Sequence, residues 1–141
     1  MIRSGTEGDL QQINVFDEFG EDRIEEIKQN YLMVYEIDCQ AVGYITIIPS
    51  SCLCGHPLIS FLCVHPQYRR QGIASKLLTE AEKKYNDKKL FISTESNNYI
   101  MLNLIQQRNY IMAGSLANVN EDGSDEVYFY QDAVNGYRKA I

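Results

Sequence analysis

Between Phe61 and Tyr85 the chain reads FLCVHPQYRRQGIASKLLTEAEKKY, and its middle carries residue types suited to holding a phosphate. Phe61-Leu62-Cys63-Val64 is a continuous apolar run closed by His65-Pro66, the pattern of a buried strand ended by proline. Gln67-Tyr68-Arg69-Arg70-Gln71-Gly72 is a basic polar turn that opens into a segment with Ile73, Leu77, Leu78, Ala81 and Tyr85 at helical spacing. The first turn of a helix has backbone N–H groups without intrahelical partners, and the helix dipole adds partial positive charge at that end. The amides of Gln71, Gly72, Ile73, Ala74 and Ser75, with Arg69 and Arg70 beside them, therefore form a candidate anion site. Gly72 brings no Cβ into the path of a diphosphate. A plainer reading, a solvated basic loop with a permissive glycine, accounts for those residues taken singly.

The cysteines are Cys39, Cys52, Cys54 and Cys63. Cys52-x-Cys54-x-His56 offers three soft ligands, but structural zinc sites use paired Cys-x-x-Cys or equivalent spacing with a fourth ligand, so no metal is expected. Cys63 lies inside the apolar run and reads as a small core residue. In a reducing compartment free thiols are the expected state.

The elements that must position the turn follow from periodicity. Ile2-Arg3 suggests a short strand, and Thr6 a cap for a helix from Asp9 to about Phe19 with Leu10, Ile13, Phe16 and Phe19 on one face. Gly20 breaks it, and Glu21 to Gln29 reads as an acidic helix whose charges form a solvated face. Tyr31–Ile37 and Ala41–Ile48 form a hairpin around Asp38-Cys39-Gln40, with Gly43 marking a bulge, and Leu58–Val64 is the strand before the turn. Beyond the central helix come a strand at Leu90–Thr94, a helix of about ten residues after Asn98, and strands at Tyr110–Val119 and Glu126–Gln131 around an Asp122-Gly123 turn. The tail from Asp132 to Ile141 has no clear pattern.

Arg69, Gly72 and Ala74 fill the fixed positions of Gln/Arg-x-x-Gly-x-Gly/Ala between a strand and a helix, and Val64, Pro66, Tyr68 and Arg69 those of Val-x-Pro-x-Tyr-Arg. The run thus resembles the acetyl-CoA-binding segment of the GNAT superfamily of N-acetyltransferases, and the element order resembles that fold over almost the whole chain. The resemblance implies an α/β (α+β) fold, a mixed central sheet of about seven strands with four helices and a parallel, splayed strand pair holding Phe61–Val64 and Leu90–Thr94. It implies that pantetheine pairs with the main chain of Leu62, Cys63 and Val64, and that Asn98 contacts the cofactor arm, although a helix cap accounts for Asn98 equally well. The two N-terminal helices resemble the segment forming one wall of the acceptor cleft.

The implied activity is acetyl transfer from acetyl-CoA to an amine by direct attack in a ternary complex, with a main-chain amide near Val64 holding the negative charge that develops on the acyl oxygen. The acceptor classes are a small-molecule amine, a peptide N-terminus or a lysine. Two catalytic positions depart from the pattern: many relatives place an acidic tyrosine where Ile105 stands, and Leu58-Ile59-Ser60-Phe61 lacks the carboxylate often used as a base. His56, as a histidine near the start of the strand, is then the candidate base, and Tyr99 and Tyr110 are substitute acids. The alternative is a catalytically weak or inactive CoA- or acyl-CoA-binding sensor module.

With 141 residues and 45% hydrophobic content, the chain suits a single domain over 1–141. A formal net charge of -6 argues against nucleic acid or an anionic membrane as partner and suits a cationic acceptor. No apolar signal core or membrane-length apolar run is present, which leads to the expectation of a soluble cytoplasmic protein and leaves room for a homodimer.

Overall fold

The computed structural model describes residues 1–134; the last seven residues of the unpatterned tail lie outside them. In chain order the elements are β1 (Ile2–Ser4), α1 (Leu10–Phe16), α2 (Ile24–Lys28), β2 (Leu32–Ile37), β3 (Gln40–Ile48), β4 (Leu58–Val64), α3 (Ile73–Lys84), β5 (Leu90–Glu95), α4 (Tyr99–Gln107), β6 (Ile111–Leu116) and β7 (Glu126–Gln131). The seven strands form a mixed sheet in the order β1-β2-β3-β4-β5-β7-β6, with β4 and β5 parallel. This is the fold class the sequence leads one to expect. The fold divides into two compact units, one made of Met1–Ile48 with Ser60–Lys84, the other of Pro49–Ile59 with the chain from Tyr85 onward.

In the first unit β3 is the central strand, buried without interruption from Ala41 to Ile47, which is why its sequence is apolar instead of alternating. Ile13, Phe16, Ile27, Leu32, Val34, Ala41, Tyr44 and Cys63 make one apolar cluster, and α3 buries Ile73, Leu77, Leu78 and Ala81. Asp38 and Cys39 both have positive φ, 50° and 63°, so β2 and β3 are joined by a two-residue turn whose backbone matches the twist of the strands. The register passes from Tyr35↔Gly43 to Glu36↔Ala41, which leaves Val42 as the extra residue of a bulge beside Gly43. The Val42 carbonyl of that bulge accepts the His65 amide at 2.8 Å, fixing the end of β4 where the basic turn begins. A Cβ on Gly43 would lie 3.1 Å from Ile73 Cγ2 and 3.4 Å from the Cys63 carbonyl, so glycine lets α3 approach the sheet.

Both N-terminal helices are shorter than the sequence expectation. Thr6 caps a single 3₁₀ turn, Glu7–Asp9, through bonds from its amide and hydroxyl to Asp9 Oδ2 at 2.8 and 3.2 Å, and α1 starts only at Leu10. It ends at Phe16, not Phe19, because Asp17 turns extended and its Oδ1 takes the Phe19 amide at 3.1 Å. The second helix covers Ile24–Lys28 instead of Glu21–Gln29.

In the second unit β7 lies between β5 and β6, antiparallel to both, and β5 alternates buried and half-buried residues along its length. The parallel register pairs Leu58 with Phe91 and Ile59 with Ile92. Leu58, Ile59, Leu90, Ile92, Ile105, Val127 and Phe129 are buried here. β6 is shorter than the expected Tyr110–Val119, since Tyr110 precedes it and Asn118 takes a positive φ of 57° in the following turn.

Candidate cofactor turn and the groups around it

The turn after β4 is built almost wholly from main-chain geometry. His65 stays at the strand end and its Nδ1 accepts the Gln67 amide at 3.1 Å, capping a 3₁₀ turn at Pro66–Tyr68. Its ring also packs against Phe16 and Tyr68, so His65 is structural. Arg70 and Gly72 take positive φ, 65° and 79°, and the chain then enters α3 with the Gly72 carbonyl accepting the Lys76 amide at 3.0 Å. The first-turn amides of Ile73, Ala74 and Ser75 are thereby left without partners four residues back. A Cβ on Gly72 would meet no described atom within 4 Å, so space is open at this exposed residue. A left-handed residue leading into a helix start is a geometry that can receive an anion.

Arg69, expected beside the anion site, has partners within the chain. Its Nε donates to the Val64 carbonyl at 3.0 Å and its Nη2 pairs with Glu18, so the side chain braces the turn against the end of β4 and the α1–α2 connection. Arg70, Gln71 and Gly72 are exposed. Leu62, Cys63 and Val64 are buried. The Cys63 thiol is pushed up by burial and donates to the Phe16 carbonyl at 3.5 Å, which makes it a core group.

The remaining candidates belong to the second unit. Asn98 caps α4, its Oδ1 accepting the Met101 amide at 3.2 Å. His56 is half-buried, its ring stacked on Phe91 at 5.5 Å and its carbonyl held by the Ser51 amide and hydroxyl at 3.0 and 2.6 Å. Tyr99 is 76% exposed at the start of α4, whereas Tyr110 is only 7% exposed. Ile105, where the family resemblance implies a tyrosine in many relatives, is 0% exposed; it is a core residue of this chain, and a phenol there would have to displace neighbours before reaching a ligand. Among the described residues no group of three His, Cys, Asp or Glu could hold a metal ion.

Two features escaped the sequence reading. Arg23, taken there as part of a solvated acidic helix, is 0% exposed. Its Nε binds Asp17 Oδ2 and its Nη1 binds Glu26 Oε1, both at 2.9 Å, and Tyr44 OH donates to Asp17 Oδ1 at 2.7 Å. Burial alone would push the Asp17 carboxyl up, but the bonds from Arg23, Tyr44 and Phe19 outweigh it and hold it below the usual carboxylate range. Glu95, at the end of β5, is pushed up by burial first and by Asp122 and Glu126 second. Nothing in its sequence neighbourhood marks it, since both acids come from the β6–β7 turn and β7.

Residues 6–108 match the profile of the acetyltransferase (GNAT) domain, nearly three quarters of the sequence and all of the turn just described. The chain belongs to the GNAT acetyltransferases. Its fold is similar to that of a GNAT-family acetyltransferase from Bacillus cereus ATCC 10987, with TM-score 0.80 and 24% identity over 96% of this chain and 98% of that one. The ribosomal-protein-alanine N-acetyltransferase of Brucella melitensis gives 0.78 and 20% over 94% and 99%. A GNAT-family acetyltransferase from Elizabethkingia anophelis, solved with acetyl-CoA bound, gives 0.75 and 17% over 94% and 97%. No curated protein sequence matches this one significantly. As a GNAT enzyme it is an acyltransferase, and no helix among its described residues is long and apolar enough to cross a membrane.

Proposed function

We propose that this GNAT enzyme moves acetyl from acetyl-CoA to an amine by direct attack in a ternary complex. The observation that carries the reading is the turn from His65 to Ser75: a left-handed Gly72 with open space at its Cα, followed by the first turn of a twelve-residue helix. The amides of Gln71 to Ser75 would hold the diphosphate, Arg69 and Arg70 would add charge beside it, and the main chain of Leu62, Cys63 and Val64 would pair with the pantetheine arm. Asn98 would contact that arm in addition to capping α4. Bound acetyl-CoA supplies the acetyl group as a thioester whose thiol, with an ordinary pKa of about 8.5, is a tolerable leaving group without a protein acid.

The protein's own contribution is orientation, which can supply about 7–11 kcal/mol of a barrier. A base adds to this, because an alkyl ammonium with a pKa of about 10.4 is almost wholly protonated at neutral pH. His56 is the base of this reading, and Tyr99 and Tyr110 are the side chains to test as acids; their positions as described support neither over the other. The net charge of -6 favours amine acceptors: a small polyamine or amino acid, a peptide N-terminus or a lysine.

The test is thiol release from acetyl-CoA against a panel containing each of these acceptor types. The expected result is release that depends on at least one amine. CoA binding with no release from any amine would instead indicate a binding module.

A further inference from the structure

Arg23 is the largest completely buried side chain of the described residues, and it sits in the connection between two short helices, not in a core strand. Its guanidinium carbon lies 4.1 Å from the centroid of the Phe61 ring and 5.3 Å from that of Tyr44. Beyond the bonds to Asp17 and Glu26, Glu21 Oε2 stands 3.7 Å from Nη1. Among the described residues Nη2 has no hydrogen-bond partner. Phe19, whose amide Asp17 holds, packs on Phe61 with ring centroids 4.9 Å apart. One arginine thus ties Asp17, Glu26, Tyr44 of β3 and Phe61 of β4 into a single cluster.

Stability does not explain this arrangement. A buried ion pair is often no better than packed apolar side chains of similar volume, and a buried donor left unpaired costs free energy. The five-residue α2 is also far too short to hold itself, so its position and that of the connection before it depend on what they are tied to. What the cluster fixes is a surface. Phe61 is half-buried and, by strand alternation, points to the opposite side of β4 from Leu62. Arg23 therefore sets the Phe61 ring and the Asp17–Arg23 segment without engaging the main chain of Leu62 to Val64.

We propose that Arg23 is a positioning residue for the acceptor, holding the Asp17–Arg23 segment and the Phe61 ring as one rigid surface beside the strand that carries the cofactor arm. The proposal rests on the acetyl-transfer reading for its functional half and on the ion cluster for its structural half. Arginine is needed because its planar fork serves Asp17 and Glu26 from separate nitrogens while its face lies on Phe61; a lysine keeps the charge and loses the fork.

The test compares the wild-type enzyme with Arg23→Lys and Tyr44→Phe, the second removing only the hydroxyl that holds Asp17. In Arg23→Lys the acceptor KM should rise about tenfold while kcat and the calorimetric Kd for CoA stay within about twofold, the signature of a lost positioning contact. Amide hydrogen exchange should accelerate about tenfold or more across residues 17–28 and stay unchanged in β3 and α3, which reports local opening. Tyr44→Phe should move the same quantities in the same direction and less. An unchanged KM, a CoA Kd that rises in step with KM, or exchange that accelerates uniformly would overturn the proposal. If the wild type turns over no amine, the acetyl-transfer reading falls and the exchange and CoA-affinity arms still decide the structural half: selective opening of 17–28 with intact CoA affinity upholds it, and uniform opening refutes it.

Discussion

The turn from His65 to Ser75 and the connection from Asp17 to Arg23 belong to the same unit and both carry charge, yet they hold it in opposite ways. In the turn the groups proposed to bind are main-chain amides, the arginines Arg69 and Arg70 are exposed, and the conformation is set by glycine, proline and a strand bulge. In the connection the working groups are side chains: an arginine is fully buried between Asp17 and Glu26 and laid on an aromatic ring. The first device depends little on side chains and asks for a positive φ at Gly72. The second is intolerant of losing Arg23 or Asp17, because whichever of the two is left behind is a buried charge.

The contrast is tested most strongly by stability at Arg23. Arg23→Met removes the cation and leaves the Asp17 carboxylate buried without it, and breaking a buried pair in this way costs about 3–5 kcal/mol. Chemical denaturation should show it as a lower midpoint; a variant as stable as the wild type would mean that the cluster is dispensable. Ile105→Tyr comes next. Forcing a phenol into a position that is 0% exposed should cost about 1–3 kcal/mol through overpacking, and thiol release should not improve. A rise in turnover without loss of melting temperature would show that the position faces the reacting groups after all.

Acid should act on the connection and spare the turn. The Arg3 hydrogen bonds hold the Asp9 carboxyl below its ordinary range, and Asp17 is held down by Arg23, Tyr44 and Phe19 against the opposing effect of burial. A carboxylate depressed in the folded state contributes stability that is present above its unfolded pKa, about 3.9, and is lost as pH falls through the lower folded value. Melting temperature should therefore fall steeply below about pH 4 in the wild type and less steeply in Asp17→Asn, which starts from a lower stability. Equal acid sensitivity in the two would remove Asp17 from the account. The smallest effect belongs to Glu18→Gln: its pair with Arg69 joins two side chains that are 58% and 44% exposed, and such surface pairs contribute about 0–1 kcal/mol.

The two regions also differ in how much of them could be read from the sequence. The turn was legible because each of its requirements is local: apolar strand, proline, positive-φ glycine and helix follow one another along the chain. β4 and β7 fell within their expected bounds for the same reason. The Arg23 cluster was illegible because Glu21-Asp22-Arg23-Ile24-Glu25-Glu26 has the composition of a solvated face, and the residues that bury the arginine, Tyr44 and Phe61, are distant in sequence. Helical spacing of Leu10, Ile13, Phe16 and Phe19 extended α1 too far, since periodicity does not register that Asp17 takes the Phe19 amide for itself. At Ile105 the motif count marked the departure from relatives, while the burial of that side chain depends on packing that no local pattern encodes.

Everything proposed for the cofactor depends on the left-handed glycine and the helix start behind it holding a diphosphate. Calorimetric titration of CoA into the wild type, Gly72→Val and the exposed control Lys83→Gln decides whether they do. Gly72 sits at φ 79° in open space, so valine there both strains the backbone and fills that space. The expected result is wild-type affinity in Lys83→Gln and a loss of at least about 100-fold, close to 2.8 kcal/mol, in a Gly72→Val protein shown to be folded by its cooperative melt. Unchanged CoA affinity in folded Gly72→Val would contradict it.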